Sequence, residues 1–266
     1  MSIPKTCFIL ASGASVRDNL WHIPIKYLPL WQALRDKFVV SINWGYKFIN
    51  PTLEIFVDYR FYATEKEKLD KLNLIIGKDD PFYIREKDNY SSRINDNLFL
   101  LKDAEGKNVD NNGMRACYWG EESWKKGFYC GQLSGIWAIS IMLQLGCEKI
   151  YLLGYDGNEI NGYTHFYQDD GVTGHIEWKG QKQCGVGKDE RGNYRTGTYN
   201  KDINWWFDPL KVEANKIINV NQNSAINTFK KISYEELYKI LESEQSINYL
   251  EVQNEIKNII KEKSCK

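Results

Sequence analysis

The sequence predicts an α/β fold, a parallel sheet flanked by helices, and three observations carry that prediction. An apolar run, Cys7–Ala11, passes into the polar turn Ser-Gly-Ala-Ser. A βαβ-like succession of apolar and amphipathic segments follows it. Later, a nearly all-apolar stretch, Ser134–Leu145, leads through Gly146 into a further apolar run, Lys149–Asp156. Strands covered on both faces read as continuous apolar runs, as those of parallel sheets do.

Taken in order, Cys7–Ala11 predicts a buried strand, and Ser12–Ser15 the loop that opens a helix. Pro24 and Pro29 interrupt the chain before a helix at Leu30–Lys37 and a second strand at Phe38–Asn43. Leu53–Tyr59 predicts a third strand and Ala63–Leu72 a charged surface helix. From about residue 78 to 130, charges, Asn and Gly interleave with aromatics, and Asn97–Leu101 alone has strand character. An insertion or lid is expected there. Ser134–Leu145 is apolar all round, as a buried helix is, and Gly146 supplies its C-terminal stop. Residues 157–204 are polar and rich in Gly, Tyr and Asp, in keeping with long loops at the working end of the sheet. Lys216–Val220 predicts a last strand, and Tyr234–Leu241 and Leu250–Lys263 two amphipathic helices, the second as a tail. The expected organisation is one α/β domain over residues 1–232 and a C-terminal helical segment over 233–266.

Composition narrows the function classes. The 266 residues are 42% hydrophobic and 26% charged, the balance of a globular chain able to bury a core. Thirty-five basic residues offset 35 acidic ones, so no net field draws the protein to nucleic acid or an anionic membrane. Nucleic acid stays open only as a modified acceptor. The six cysteines form no CxxC pair, which points to free thiols in a reducing compartment and away from structural zinc. No signal-like leader or membrane-length apolar run is present, and a cytoplasmic location is expected.

In open parallel sheets, ligands sit beyond the carboxyl ends of the strands, where loops and helix starts present N–H groups to anions. Ser12, Gly13 and Ser15 follow the first strand, Asn43 ends the second and Asp58 the third. Ser134 and Gly135 open the buried helix, and Asp156 ends the strand after it. Each has an everyday structural use: Ser12–Ser15 and Ser134 as helix caps, Gly135 for close packing, Asn43 and Asp58 in turns. Their convergence on one edge points to a nucleotide-type ligand. Asp156 stands apart as a candidate catalytic group, because a carboxylate emerging from Tyr-Leu-Leu-Gly-Tyr needs a hydrogen-bond partner or water.

Acid–base chemistry has three histidines to draw on. His22, between prolines, reads as structural. His165 lies in Gly-Tyr-Thr-His-Phe-Tyr, flanked by Tyr163 and Tyr167, whose hydroxyls suit phosphate oxygens, and it is the candidate general base. His175, with Asp169 and Asp170 before it, lacks helical or zinc-type spacing, and no metal site is expected. Trp119, Trp124, Trp178, Trp205 and Trp206 lie in the irregular segments and either pack the loops or stack on a sugar or base.

The Ala-Ser-Gly-Ala-Ser loop, together with Leu-Ser-Gly-Ile-Trp-Ala-Ile-Ser-Ile-Met-Leu-Gln-Leu-Gly-Cys-Glu-Lys-Ile-Tyr-Leu-Leu-Gly-Tyr-Asp, resembles bacterial sialyltransferases of glycosyltransferase family 42 and their MptE-like relatives. The likeness covers chiefly residues 6–60 and 131–157. It implies a Rossmann-like domain that takes a cytidine-monophosphate sugar under a lid. It further implies nucleotide contacts from Ser12, Gly13, Asn43, Ser134 and Gly135, with Asp58 near the donor sugar or ribose. Tyr163 would hold the leaving phosphate. The implied activity is sugar transfer to an acceptor hydroxyl with no cofactor beyond the nucleotide-sugar donor, the acceptor being open among glycan, protein, small molecule and modified DNA. The MptE-like relatives imply an alternative, pyrophosphoryl transfer from Mg-ATP. The stretch Arg-Thr-Gly-Thr-Tyr-Asn-Lys-Asp-Ile-Asn-Trp-Trp, where the likeness places a base histidine, has none, and this favours a third alternative, a nucleotide-binding module without catalysis.

Overall fold

The computed structural model describes residues 3–21, 28–79, 97–104, 118–130, 133–158, 160–161, 163, 165–167 and 203–264. Among them, eight strands form one all-parallel sheet: β1 (Thr6–Leu10), β2 (Val39–Ile42), β3 (Leu53–Phe56), β4 (Ile75–Lys78), β5 (Leu98–Leu101), β6 (Lys149–Leu153), β7 (Ile217–Asn219) and β8 (Lys230–Lys231). Across the sheet their order is β5-β4-β3-β2-β1-β6-β7-β8. The chain therefore starts at the centre, winds outward to β5, and returns to the other side of β1 with β6. This is a Rossmann-like α/β arrangement, and its direction reverses between β1 and β6, where Phe8 lies level with Val39 on one side and Tyr151 on the other.

Alternation along each strand divides the core between the two faces. Cys7 and Ile9 of β1, Val40 and Ile42 of β2, and Leu53 and Ile55 of β3 point to one face. There they meet helix α5 (Ser134–Gln144) and the C-terminal helix α8 (Tyr249–Ser264), which contributes Val252, Ile256 and Ile260. Phe8, Leu10 and Val39 point to the other, under α1 (Arg17–Trp21), α2 (Leu30–Ala33) and α7 (Tyr234–Ser243). Helix α3 (Tyr59–Leu69) covers the outer strands with Phe61, Tyr62 and Leu69. Short helices α4 (Glu121–Lys126) and α6 (Ile203–Phe207) lie in the connections.

Helix α5 is the element that the sequence marks most clearly, and all residues from Ile136 to Leu143 are buried. It crosses β1, β2 and β3 and ends where the sequence predicts. Gly146 takes a left-handed φ of +93°, while its N–H bonds the Leu143 carbonyl and that of Cys147 bonds Met142. That pair of bonds satisfies carbonyls that the helix end would otherwise orphan.

Several boundaries differ from expectation. The third strand stops at Phe56, because α3 starts at Tyr59. The helix expected over Leu30–Lys37 is a single α-turn followed by turns. Strand β4 lies in a stretch with no strand assigned from sequence, and β8, two lysine residues beside Ile218 and Asn219, extends the sheet past the expected last strand. Such a short, charged edge strand deters pairing with another chain. Within residues 78–130, the described part is strand β5 at the sheet edge, the bridge Asp103–Phe128, and α4. The C-terminal helix is no loose tail, since Ile256 is fully buried. Gln253 donates to the Thr52 carbonyl at 2.9 Å, and the preceding turn is held to the start of β2 by Lys37 donating to the Glu244 carbonyl at 2.7 Å. Cys7, Cys130 and Cys147 are buried, and none of the three is in a disulfide. No described helix is long and apolar enough to cross a membrane.

Candidate functional site

The carboxyl ends of β3, β2, β1 and β6 lie side by side, and the predicted polar residues follow them in that row. The centre of the row is a close crossing of two loops. Gly13 donates its N–H to the Gly154 carbonyl at 2.9 Å, and Ala11 does the same to Leu153. A β-carbon on Gly13 would lie 2.3 Å from the Gly154 carbonyl oxygen and 2.6 Å from the Asp156 carboxylate. Gly154 itself has φ +72°. The two glycines permit the loops after β1 and β6 to touch backbone to backbone.

Asp156, 2% exposed, closes that crossing. One carboxylate oxygen accepts the Ser15 N–H at 2.8 Å, and the other accepts the Asn221 side-chain amide at 2.8 Å. Burial raises its pKa, with the hydrogen bonds from Ser15 and Asn221 opposing. The partner that the sequence demanded for this carboxylate is thus the first loop together with the segment after β7. That segment is itself anchored: Asn219 donates to the Tyr155 carbonyl at 2.9 Å, Ser224 to the same carbonyl at 2.7 Å, and the Ala225 N–H to the Asp156 carbonyl at 2.7 Å. Asn219, Asn221 and Ser224 were not singled out from sequence, although the run Asn-Val-Asn-Gln-Asn-Ser at the end of the strand predicted over Lys216–Val220 carried a readable signal.

The segment bearing Tyr163 and His165 belongs to the same edge. The Phe166 N–H bonds the Ser12 carbonyl at 2.9 Å, and Tyr163 and Ile160 exchange two backbone hydrogen bonds of 2.9 Å each. Tyr163 and His165 are half-buried, and the His165 ring lies 5.2 Å from that of Tyr167. Arg17, just past the first loop, places its guanidinium 3.9 Å from the centre of the Tyr163 ring.

At the end of β2, Asn43 takes a left-handed φ of +54° and opens a tight turn, Asn43–Lys47, that abuts the end of β1. Its side-chain oxygen is buried and has no hydrogen-bond partner. The turn rests on an unusual group, since Glu54, fully buried in β3, takes hydrogen bonds from the Ser41 hydroxyl and the Asn43 backbone while its other oxygen has none. With no cation beside it, burial pushes the Glu54 carboxyl well above the ordinary range, so it holds its proton. A carboxyl that stays protonated in the fold but ionises in the unfolded chain makes stability fall as pH rises above the ordinary glutamate value. The slope reaches about 1.4 kcal/mol per pH unit. Glu54→Gln abolishes that term, so its denaturation midpoint is expected to gain on the wild type between a pH at and a pH above the ordinary glutamate value. Parallel urea profiles at both pH values would rule this assignment out.

Asp58 is exposed and its carbonyl starts α3, two strands away from the crossing. The cap of α5 is Leu133, not Ser134, and no side chain caps that helix, which leaves Ser134 and Gly135 in its open first turn. Gly135 does serve close packing: a β-carbon there would meet the Tyr155 ring at 2.8 Å, and the Tyr155 hydroxyl donates to the Gly135 carbonyl at 2.9 Å. His22, Asp169, Asp170, His175 and Trp178 lie outside the described residues. Trp119, Trp124 and Trp206 pack on the core, and Trp205 meets Trp206 edge to face. Among the described residues, no group of three or more His, Cys, Asp or Glu side chains is placed to hold a metal ion.

The chain matches no protein-family model, no curated protein and no solved structure. The carboxyl edge of the sheet gathers most of the predicted residues. It brings together Ser12, Gly13, Ser15, Asp156, Tyr163 and His165, sets Asn43 beside them on the next strand end, and leaves Asp58 further out.

Proposed function

We propose that the chain is a glycosyltransferase-like enzyme that takes a nucleotide-activated sugar at the β1/β6 switch point and transfers the sugar to an acceptor hydroxyl. The resemblance to glycosyltransferase family 42 makes a cytidine-monophosphate donor the first to test. The observation that supports the reading best is the hydrogen bond from Phe166 to the Ser12 carbonyl, which gathers a tyrosine and a histidine at the loop where such sheets bind nucleotides. In this reading Asn43, whose buried oxygen has no protein partner, contacts the base. N–H groups at the open start of α5 face the phosphate, where negative charge grows as the sugar departs. His165 takes the proton of the acceptor hydroxyl.

One observation favours a second reading, a nucleotide-binding module without turnover. Asp156, which the sequence offered as a catalytic group, already spends both oxygens on Ser15 and Asn221.

Thermal-shift titration with CMP, UDP, GDP and ATP, each with and without magnesium, tests these readings. A ligand at a hundred times its Kd stabilises by about 2.7 kcal/mol, roughly 5–10 °C in a domain of this size. CMP is expected to give that shift without magnesium. A response confined to Mg-ATP would replace the reading with pyrophosphoryl transfer, and silence toward every nucleotide would end it. With a donor and acceptor in hand, His165→Ala is expected to lower turnover by about 10²- to 10⁴-fold while the CMP shift stays. Undiminished turnover would take His165 out of the chemistry and leave the base to be found elsewhere.

A further inference from the structure

Among the described residues, none supplies an anion to the guanidinium of Arg17, although it is built into the edge of the site. Arg17 is half-buried, directly after the Ser12–Val16 loop, and its guanidinium carbon lies 3.9 Å from the centre of the Tyr163 ring. One of its terminal nitrogens, Nη1, is buried and makes no hydrogen bond. Among the described residues, no carboxylate pairs with Arg17. Asp156, which holds the same loop through Ser15, is engaged by Ser15 and Asn221.

A structural arginine in a fold finds carbonyls or a carboxylate, because a charged donor kept from water without a partner is costly. Stacking on a tyrosine lowers no such cost for the N–H groups in the guanidinium plane. It does fix that plane, and a fixed planar fork is what binds the paired oxygens of an oxyanion. Tyr163 is held by two backbone hydrogen bonds to Ile160, and its segment by the bond from Phe166 to Ser12, so both halves of the pair are anchored to the β1 loop.

We propose that Arg17, oriented on the Tyr163 ring, is the phosphate-binding cation of this site. The inference rests on the nucleotide reading above and sharpens it. Tyr163 acts as the platform of the arginine, and the guanidinium supplies the charge that meets the phosphate. The site is then selective for a nucleotide over its nucleoside, and the selectivity depends on one side chain.

Calorimetric titration with CMP, cytidine, inorganic pyrophosphate and N-acetylneuraminate separates the possibilities, using the full chain and the variants Arg17→Gln, Arg17→Lys, Tyr163→Phe and Tyr163→Ala. CMP is expected to bind the wild type at least roughly tenfold tighter than cytidine, as a charge-assisted bidentate contact implies. Arg17→Gln should erase that ratio, with cytidine affinity unchanged. Tyr163→Phe should keep it and Tyr163→Ala should reduce it. An unchanged ratio in Arg17→Gln overturns the proposal while leaving the nucleotide reading intact. Should Arg17→Gln not fold, Arg17→Lys carries the comparison, since it keeps the charge but loses the fork. If no nucleotide or nucleoside binds, the nucleotide reading fails and pyrophosphate decides: binding that is lost in Arg17→Gln supports a phosphate site, and binding that is equal in both or absent overturns it. Arg17-dependent binding of the sugar carboxylate with no phosphate effect also overturns it.

Discussion

Replacing Gly13 by alanine is expected to lower the melting temperature by about 6–12 °C and to abolish any ligand binding at the β1/β6 edge. The new methyl would stand 2.3 Å from the Gly154 carbonyl oxygen and 2.7 Å from its carbon. Those neighbours are backbone atoms of a loop fixed on its other side by the Ala11 to Leu153 bond, so they have no rotamer to move away into. Overpacking of this kind costs about 3 kcal/mol or more, and each kcal/mol corresponds to roughly 2–4 °C for a chain of this length. The relief open to the protein is to lift the first loop off β6, which breaks the Gly13 to Gly154 bond and moves Ser12, Ser15 and Arg17 together. A Gly13→Ala protein with the wild-type melting temperature would show that the two loops do not touch.

Asp156→Ala should be comparably damaging for the opposite reason, a loss of partners. It leaves the Ser15 N–H and the Asn221 amide without acceptors in a place closed to water. At about 1–3 kcal/mol for each stranded group, a total of roughly 2–6 kcal/mol is expected, read as a shift in urea midpoint. Asp156→Asn should fall between the two proteins. Its oxygen can still accept from Ser15, but its amide would face the Asn221 amide, and Asn221 cannot turn without giving up its bond to the Asn223 N–H. The same pair of variants separates structure from chemistry. If Asp156 is only the clasp of the site, turnover should follow stability through the series. A stable Asp156→Asn protein with turnover gone would instead make the carboxylate a participant in the reaction.

Much of the fold was legible because burial writes itself into single segments. A strand covered on both faces is apolar along most of its length, and residues 7–10 and 150–153 are apolar runs of that kind. The same holds for α5 and its glycine stop. Strand β8 was not legible, because two lysines have no strand propensity of their own and become a strand only by pairing with β7. Strand β4 was short and followed a charged helix, which masked it. The candidate site was legible as a set of strand ends: Ser12, Gly13, Asn43 and Asp156 lie at the edge where a parallel sheet must expose its loops. Arg17 was not, since nothing local marks an arginine as lacking an anion, and the asparagine-rich run over 219–223 marks a polar loop without showing that Asn221 holds a carboxylate.

By itself, then, the sequence determined the central strands, the buried helix α5 and which polar residues fall at the carboxyl ends of those strands, because those properties depend on periodicity over a few residues. Tertiary structure decided which ends are neighbours. The order that sets β1 beside β6 joins Ser15 to Asp156 across 141 positions and Asn221 to Asp156 across 65. Contacts at that range are chosen by how helices and strands pack as a whole, so the clasp on Asp156 and the stack of Arg17 on Tyr163 exist only in the folded molecule.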